Sequence, residues 1–535
     1  MRVNTDNYIY DKNIWKPDGR SIYMFNMNPI TRLDNPEPDI IRVDNAYYMV
    51  TTTMHFYPGG QILRSYDLQH WEIVGYLFDS LDECDEEKLL GEKNIYGHGM
   101  EAGSLRYHNN KFYVTFYVRG INKSFLFTAD RPEGPWKKKI LKNGYFSGSL
   151  LFDDDGRIYI AHGFEKIWIS ELDSELNGTK EDGFESLILE DKGDNYIGYT
   201  GSHFYKINGH YYLFVMQWSR TGVARRTQMC FISDSIEGPY EGYTVFCDDN
   251  GYYNQGIAQG GIVDTPNGKW FAVLSQDYGA AGRIPVLVPV SFDGKIPVFG
   301  NKGKMPNILE IPNGNPYYRY DSLIASDKFF YMNRQQARLR PQWQFNHKPD
   351  NSLWRILPEG GLSIRTGKIS VNLTQAQNTL TQKMLWPASA VEVDVDASKI
   401  NEGDFAGLCA LQGCYGLVGI TKEFNKYYVV VIVKSLKNKD INNNRLDYLP
   451  GKIIDKIHVE SPKIRFRIDV DFHDRQDEIV FQYCDTIGTN NWQLIGDKHK
   501  IYFRLDHMMG CRFGLFLYST RQIGGEAVFN DFVYN

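Results

Sequence analysis

Hydrophobic and polar positions alternate with period two through most of this 535-residue chain, the pattern of strands buried on one face. In the first half the alternation comes in a repeated phrase: a small or polar head, an apolar strand, a tight turn on Asp, Asn or Gly, and an aromatic returning strand. The copies read EPDIIRVDNAYYMV from Glu37, AGSLRYHNNKFYV from Ala102, SGSLLFDDDGRIYI from Ser147, TGSHFYKINGHYYLF from Thr200 and QGGIVDTPNGKWFAV from Gln259. The return begins 10 residues after the head at Tyr47 and Phe112, and 11 after it at Ile158, Tyr211 and Trp270. Successive heads lie 65, 45, 53 and 59 residues apart, a spacing that predicts the blades of a propeller. Turns such as HNN, DDDG and INGH supply hairpin chemistry. DECDEEKLLGEKN, between Asp82 and Asn94, breaks the pattern and is expected to be a charged surface loop or a helical turn.

Periodicity weakens between 306 and 325, where Gly, Pro and Asn gather. Short strands then resume in VEVDVDA, YYVVVIV, IRFRIDVDF, IVFQY, CRFGLFLYST and AVFNDFVY, as in an antiparallel sandwich. The predicted organisation is all-β: an N-terminal extension over 1–24, a five-bladed β-propeller over 25–305, a linker over 306–325 and a jelly-roll-like β-sandwich over 326–535. The length suits two such cores.

Composition narrows the function by exclusion. A formal net charge of -6 with both signs interspersed argues against a nucleic-acid partner. No apolar run reaches membrane-span length and the N-terminal residues lack a signal-peptide core, so the expectation is a cytoplasmic protein with no membrane partner, or a secreted one if a signal was removed. Seven scattered cysteines without CxxC pairs read as reduced thiols. Aromatics at 14% suit broad strands and also sugar rings, which stack on aromatic faces.

The inner strand of each propeller blade lines the central channel, so equivalent heads converge at one mouth. Glu37, Ala102, Ser147, Thr200 and Gln259 are therefore the first candidates for a site.

On these segments, with NPI at 28–30, SYDLQHWEIVGY from Ser65, GRIPVLVPV from Gly282, WQFNHKPDN from Trp343 and GDFAGLCALQG from Gly403, the chain resembles glycoside hydrolase family 43. It is similar to the β-xylosidase and α-L-arabinofuranosidase branch with its C-terminal β-sandwich. The resemblance implies inverting hydrolysis by a base Asp, an acid Glu and an Asp that tunes the acid, with base and acid about 6.5–9.5 Å apart. The three matching positions hold Glu37, Ser147 and Thr200. Glu37 keeps a carboxylate on a longer arm and is the candidate base. Ser147 carries no charge to tune a neighbour, and the Thr200 hydroxyl cannot donate a proton at neutral pH.

Glu101 stands where the family places a Trp, adding a carboxylate one residue before the second head. It is either a relocated acid or a salt-bridged or ligand-binding group. Arg283 matches an arginine that contacts the sugar in related enzymes; Ser147, Thr200, His203 and Gln259 complete the candidate binding set. His55 and His98 are either pocket-lining or packed. Asp39 is expected to give structural support, and Arg225, Arg226, Thr227, Gln228, Gln276 and Asp277 to surround the pocket.

Two functions stay open: a hydrolase acting on arabinofuranosyl or xylosyl units of plant-derived oligosaccharides with a non-standard acid/base set, and an inactive relative that binds sugars in the propeller pocket. The expected partner is a mono- or oligosaccharide, and a homo-oligomer is left open. No cofactor motif is present and none is required; a structural cation in the propeller channel is left open, as in some relatives.

Overall fold

The computed structural model describes residues 14–15, 21–25, 27–91, 93–312, 314–331, 338–435 and 448–535. Among them there is no α-helix, only strands and short 3-10 turns. Five antiparallel four-stranded sheets, each built from consecutive segments, form the blades. Their innermost strands are Asp39–Val43, Met100–His108, Ser149–Phe152, Asn195–Ile207 and Ala258–Asp264. Since strands alternate in direction, the turns joining second to third strands lie at the same mouth as the repeat heads.

Each blade contains its own four strands, so the ring must be closed by side bonds. The chain ahead of blade one runs along blade five: the Ile30 N–H donates to the Pro285 carbonyl at 3.0 Å and the Asn35 N–H to the Arg283 carbonyl at 3.0 Å. Arg42 and Asp264 pair across the same seam. Neighbouring inner strands approach closely there and within blade five. A Cβ on Gly260 would sit 1.9 Å from the Val273 carbonyl oxygen. Gly260→Ala should therefore cost about 3 kcal/mol by overpacking, read as a lower urea midpoint; an unchanged midpoint would refute the close fit.

The stretch expected to be a linker carries a strand, Ile308–Pro312, which pairs with Ser21–Phe25. Sparse apolar periodicity concealed it because only Leu309 and Ile311 face a core. DECDEEKLLGEKN contains the 3-10 turn Asp85–Lys88. Its Glu87 is buried, accepting hydrogen bonds from the Leu81, Asp82 and Glu83 N–H groups at 3.1–3.3 Å. The second of the two expectations, a helical turn, is what forms; three backbone donors make burial of one carboxylate tolerable.

The C-terminal region is a sandwich of two antiparallel sheets around one apolar core that includes Trp343, Phe466, Phe481 and Phe513. Propeller and sandwich are joined by strand pairing: Phe56–Tyr57 of blade one adds to the edge of a sandwich sheet beside Gln344–Asn346. This contact fixes the sandwich against the mouth side of the propeller.

Candidate active site

At four of the five heads the residue named from the repeat has a left-handed backbone: Glu37 at φ 55°, Ala102 at 39°, Ser147 at 52° and Gln259 at 72°. In blade four that conformation belongs to Gly201 at 69°, one residue after Thr200. A hydrogen-bond ladder gives the same register. The Leu105 N–H donates to Asp39, the Leu150 N–H to Ser104 and the Phe204 N–H to Ser149, at 2.8, 3.1 and 2.9 Å. The structural equivalent of the heads is thus Gly201, a correction to the repeat alignment: counted from Gly201 the return at Tyr211 begins 10 residues on, as it does in blades one and two.

Below the mouth the channel is filled by an ion pair. Asp39, fully buried, accepts from Arg106 Nη1 at 2.7 Å and the Leu105 N–H at 2.8 Å. Arg106 also donates to the Leu150 carbonyl, the Ser149 hydroxyl and the Phe204 carbonyl, tying blades two, three and four together. Its guanidinium lies 4.9 Å from the Tyr205 ring centroid. His203 faces this pair, with Nδ1 3.0 Å from the Gly201 carbonyl and Nε2 3.6 Å from Asp39. It belongs to the channel interior. Among the described residues no group of three His, Cys, Asp or Glu is arranged to hold a metal. The channel donors do not fit a cation, since Arg106 already matches the Asp39 charge.

Glu37 lies at the mouth. Its Oε2 accepts from the Thr52 hydroxyl at 2.7 Å and the Ala102 N–H at 2.9 Å, and its Oε1 from Arg283 Nη1 at 3.1 Å. Burial pushes this carboxyl up, but the Arg283 charge and the three hydrogen bonds outweigh it and hold the carboxyl below the usual range. Arg283 is also tied to the sandwich, donating from Nη2 to the Met508 carbonyl at 3.3 Å.

Glu101, one residue before the Ala102 that contacts Glu37, is 6% exposed. Burial pushes its carboxyl up to about 7, with the Glu37 charge adding to the rise and Arg119 opposing it. Arg119 pairs with both oxygens, Nε to Oε1 at 2.9 Å and Nη2 to Oε2 at 3.0 Å, and lies over the Phe146 ring. Sequence reasoning missed Arg119. It sits just past the second strand of blade two, and that mouth position was the available signal.

The remaining candidates divide. The Ser147 hydroxyl is used by the Gly201 N–H at 3.1 Å. The Thr200 hydroxyl and the Gln259 side-chain amide have no hydrogen-bond partner among the described residues, and Gln259 packs against Gly201. Arg226 pairs with Asp277 and Arg225 with Asp249. Gln276 donates to the Asp249 and Gln255 carbonyls, and Gln228 Nε2 to the Val215 carbonyl. These groups scaffold the mouth. Thr227 donates to the Arg225 carbonyl. His98 bonds the Tyr96 carbonyl, whereas His55 is buried between the two regions against Tyr96, His347 and His507. Phe164 and Tyr196, 47% and 62% exposed, stand on the rim of blades three and four.

The matches to known proteins agree with this fold. Residues 26–296 match the model for glycosyl hydrolases family 43, and residues 334–535 match the beta xylosidase C-terminal concanavalin A-like domain. The chain belongs to glycoside hydrolase family 43. It is 24% identical to a beta-xylosidase of Formosa agariphila, over 97% of this chain and 91% of the relative. It is 29% identical to the non-reducing end alpha-L-arabinofuranosidase BoGH43B of Bacteroides ovatus, over 65% of this chain and 66% of the relative. A bifunctional GH43-CE structure from Bacteroides eggerthii superposes with a TM-score of 0.87 at 37% identity, over 96% of this chain and 64% of its own. This family 43 chain therefore spans just under two thirds of that protein. Its carboxylates at the mouth, Glu37 and Glu101, come from blades one and two.

Proposed function

We propose that this family 43 protein removes terminal arabinofuranosyl or xylosyl units from plant-derived oligosaccharides, with Glu37 as general base and Glu101 as general acid. One observation carries the reading. Two carboxyls at the mouths of adjacent blades, Glu37 half-buried and Glu101 buried, are driven in opposite directions, Glu37 below the usual range and Glu101 up to about 7. Such a separation is what one group needs to accept a proton while the other donates one near neutral pH. In the proposed step Glu37 takes a proton from water as its oxygen bonds the anomeric carbon. The glycosidic bond breaks, and Glu101 delivers its proton to the departing oxygen. Thr200 and Gln259 hold the sugar hydroxyls, and Arg283 orients Glu37.

Arg119 positions Glu101 and limits its proton affinity. Arg119→Gln should move the alkaline limb of the kcat/KM profile upward by about one pH unit, because an adjacent guanidinium lowers a carboxyl by roughly 1–3 units. An unmoved limb would separate Arg119 from the proton donor.

The second reading is sugar binding without turnover. It is favoured by the neutral side chains Ser147 and Thr200 and by the two-point hold of Arg119 on Glu101. Aryl arabinofuranosides and xylosides decide between them. Aryl-glycoside turnover that disappears in Glu37→Gln, with turnover of unactivated oligosaccharides lost in Glu101→Gln, supports hydrolysis. No release from any glycoside, together with sugar-induced thermal stabilisation, supports binding alone.

A further inference from the structure

A cleft of about 220 Å³ lies where blade one meets the sandwich, lined by Tyr57, Pro58, Asp79, Phe345, Lys348 and Trp354 among others. At roughly 30 Å³ per water it displaces about seven waters, enough for one sugar ring. Its floor is aromatic. Phe345 is buried, and the partly exposed Trp354 ring packs against it with centroids 5.1 Å apart. The Trp354 Nε1–H donates to Asn351 Oδ1 at 2.9 Å, which fixes the indole and leaves the Asn351 amide N–H₂ at the rim. Lys348 is matched by Asp82. Asp79 is exposed, and its carboxylate has no partner among the described residues.

This combination has a chemical reading. An immobilised indole offers a flat apolar face to the C–H groups of a pyranose or furanose, and an unpaired carboxylate can accept hydrogen bonds from two adjacent hydroxyls. An apolar ligand would leave Asp79 unused, and an anionic one would meet its charge. The cleft opens on the mouth side of the propeller: Asp79 follows the outermost strand of blade one, Glu72–Phe78, and Pro58 lies in the turn between the second and third strands of that blade. Thr52, which bonds Glu37, is in the same turn.

We infer that this cleft is a second carbohydrate site, holding a distal sugar of a neutral oligo- or polysaccharide by stacking on Trp354 and hydrogen bonding to Asp79 and Asn351. The site does not depend on Glu37 or Glu101 being catalytic. It tethers a long chain to the face on which the catalytic mouth opens.

Calorimetry with xylohexaose, α-1,5-linked arabinohexaose and cellohexaose tests it on the full chain bearing Glu37→Gln, so that no ligand is consumed. At least one hexasaccharide should bind, and Trp354→Ala should weaken it about tenfold, the scale of one aromatic contact. Because Trp354 also packs against Phe345, Asp79→Ala provides a second variant on the surface, expected to weaken binding several-fold at an unchanged Tm. In the otherwise native protein, Asp79→Ala should leave hydrolysis of a short aryl glycoside unchanged. Failure of the aryl glycoside to react would count against the acid/base proposal alone. If none of the three hexasaccharides binds, or if both variants bind them as tightly as the parent, the second site is refuted.

Discussion

Glu101→Gln should lower kcat on an unactivated oligosaccharide by about 1,000-fold, within the range that positioned proton transfer supplies. The loss should be far smaller on a nitrophenyl glycoside, whose phenolate departs without a proton. Glutamine keeps the shape of the side chain and one of the two oxygens that accept from Arg119, and Arg119 itself is a third exposed, so folding is spared. The pH profile carries the sign. With its carboxyl raised to about 7, the proton donor is present below that pH and lost above it. Activity on the oligosaccharide should therefore fall as pH rises through about 7. In Glu101→Gln that alkaline limb should vanish from the residual activity. Equal losses on both substrates, or a limb that survives the substitution, would exclude Glu101 as the acid and return weight to the sugar-binding reading.

The second large effect is on stability. Asp39→Ala should cost about 3–5 kcal/mol, because it strands the Arg106 guanidinium in the propeller channel with no counter-charge. The pair is fully enclosed: the Asp39 side chain is 0% exposed and that of Arg106 11%. Arg106, from blade two, also carries hydrogen bonds to blades three and four, so the loss should appear as cooperative unfolding of the propeller rather than local fraying. Urea denaturation of the single variant and of Asp39→Ala with Arg106→Leu checks it. The double variant should recover part of the loss, since an apolar side chain leaves no buried charge. A single variant within about 1 kcal/mol of wild type would mean that water reaches the channel and screens the guanidinium.

Much of this molecule was legible in its residues. Period-two alternation with Asn, Asp and Gly turns located the blades, and the returning strands begin within one residue of the positions read from the repeat. Glu37 could be nominated from its head position in that pattern, and Arg283 from the family resemblance. Their contact could not, since the two residues belong to blades one and five and meet only when the ring closes. Arg119 escaped because an arginine after a strand is ordinarily a solvated end; the buried Glu101 gives it a charge to match. The offset at Thr200 was hidden because the distance from head to returning strand is 10 residues in some repeats and 11 in others, so spacing alone does not separate Thr200 from Gly201.

Local periodicity and turn chemistry act between residues near in sequence, and they sufficed by themselves for the all-β class, the five blades and the following sandwich; the substituted acid positions came from the family resemblance. Charge state, register and partnership depend on groups brought together from distant parts of the chain. Only the tertiary structure decided that Asp39 and Arg106 fill the channel, that Gly201 rather than Thr200 is the structural head of blade four, and that Met508 of the sandwich touches the site through Arg283. It alone decided that burial and neighbouring charge move Glu37 and Glu101 to opposite sides of the ordinary carboxyl value, since desolvation is a property of the assembled core and not of any residue in isolation.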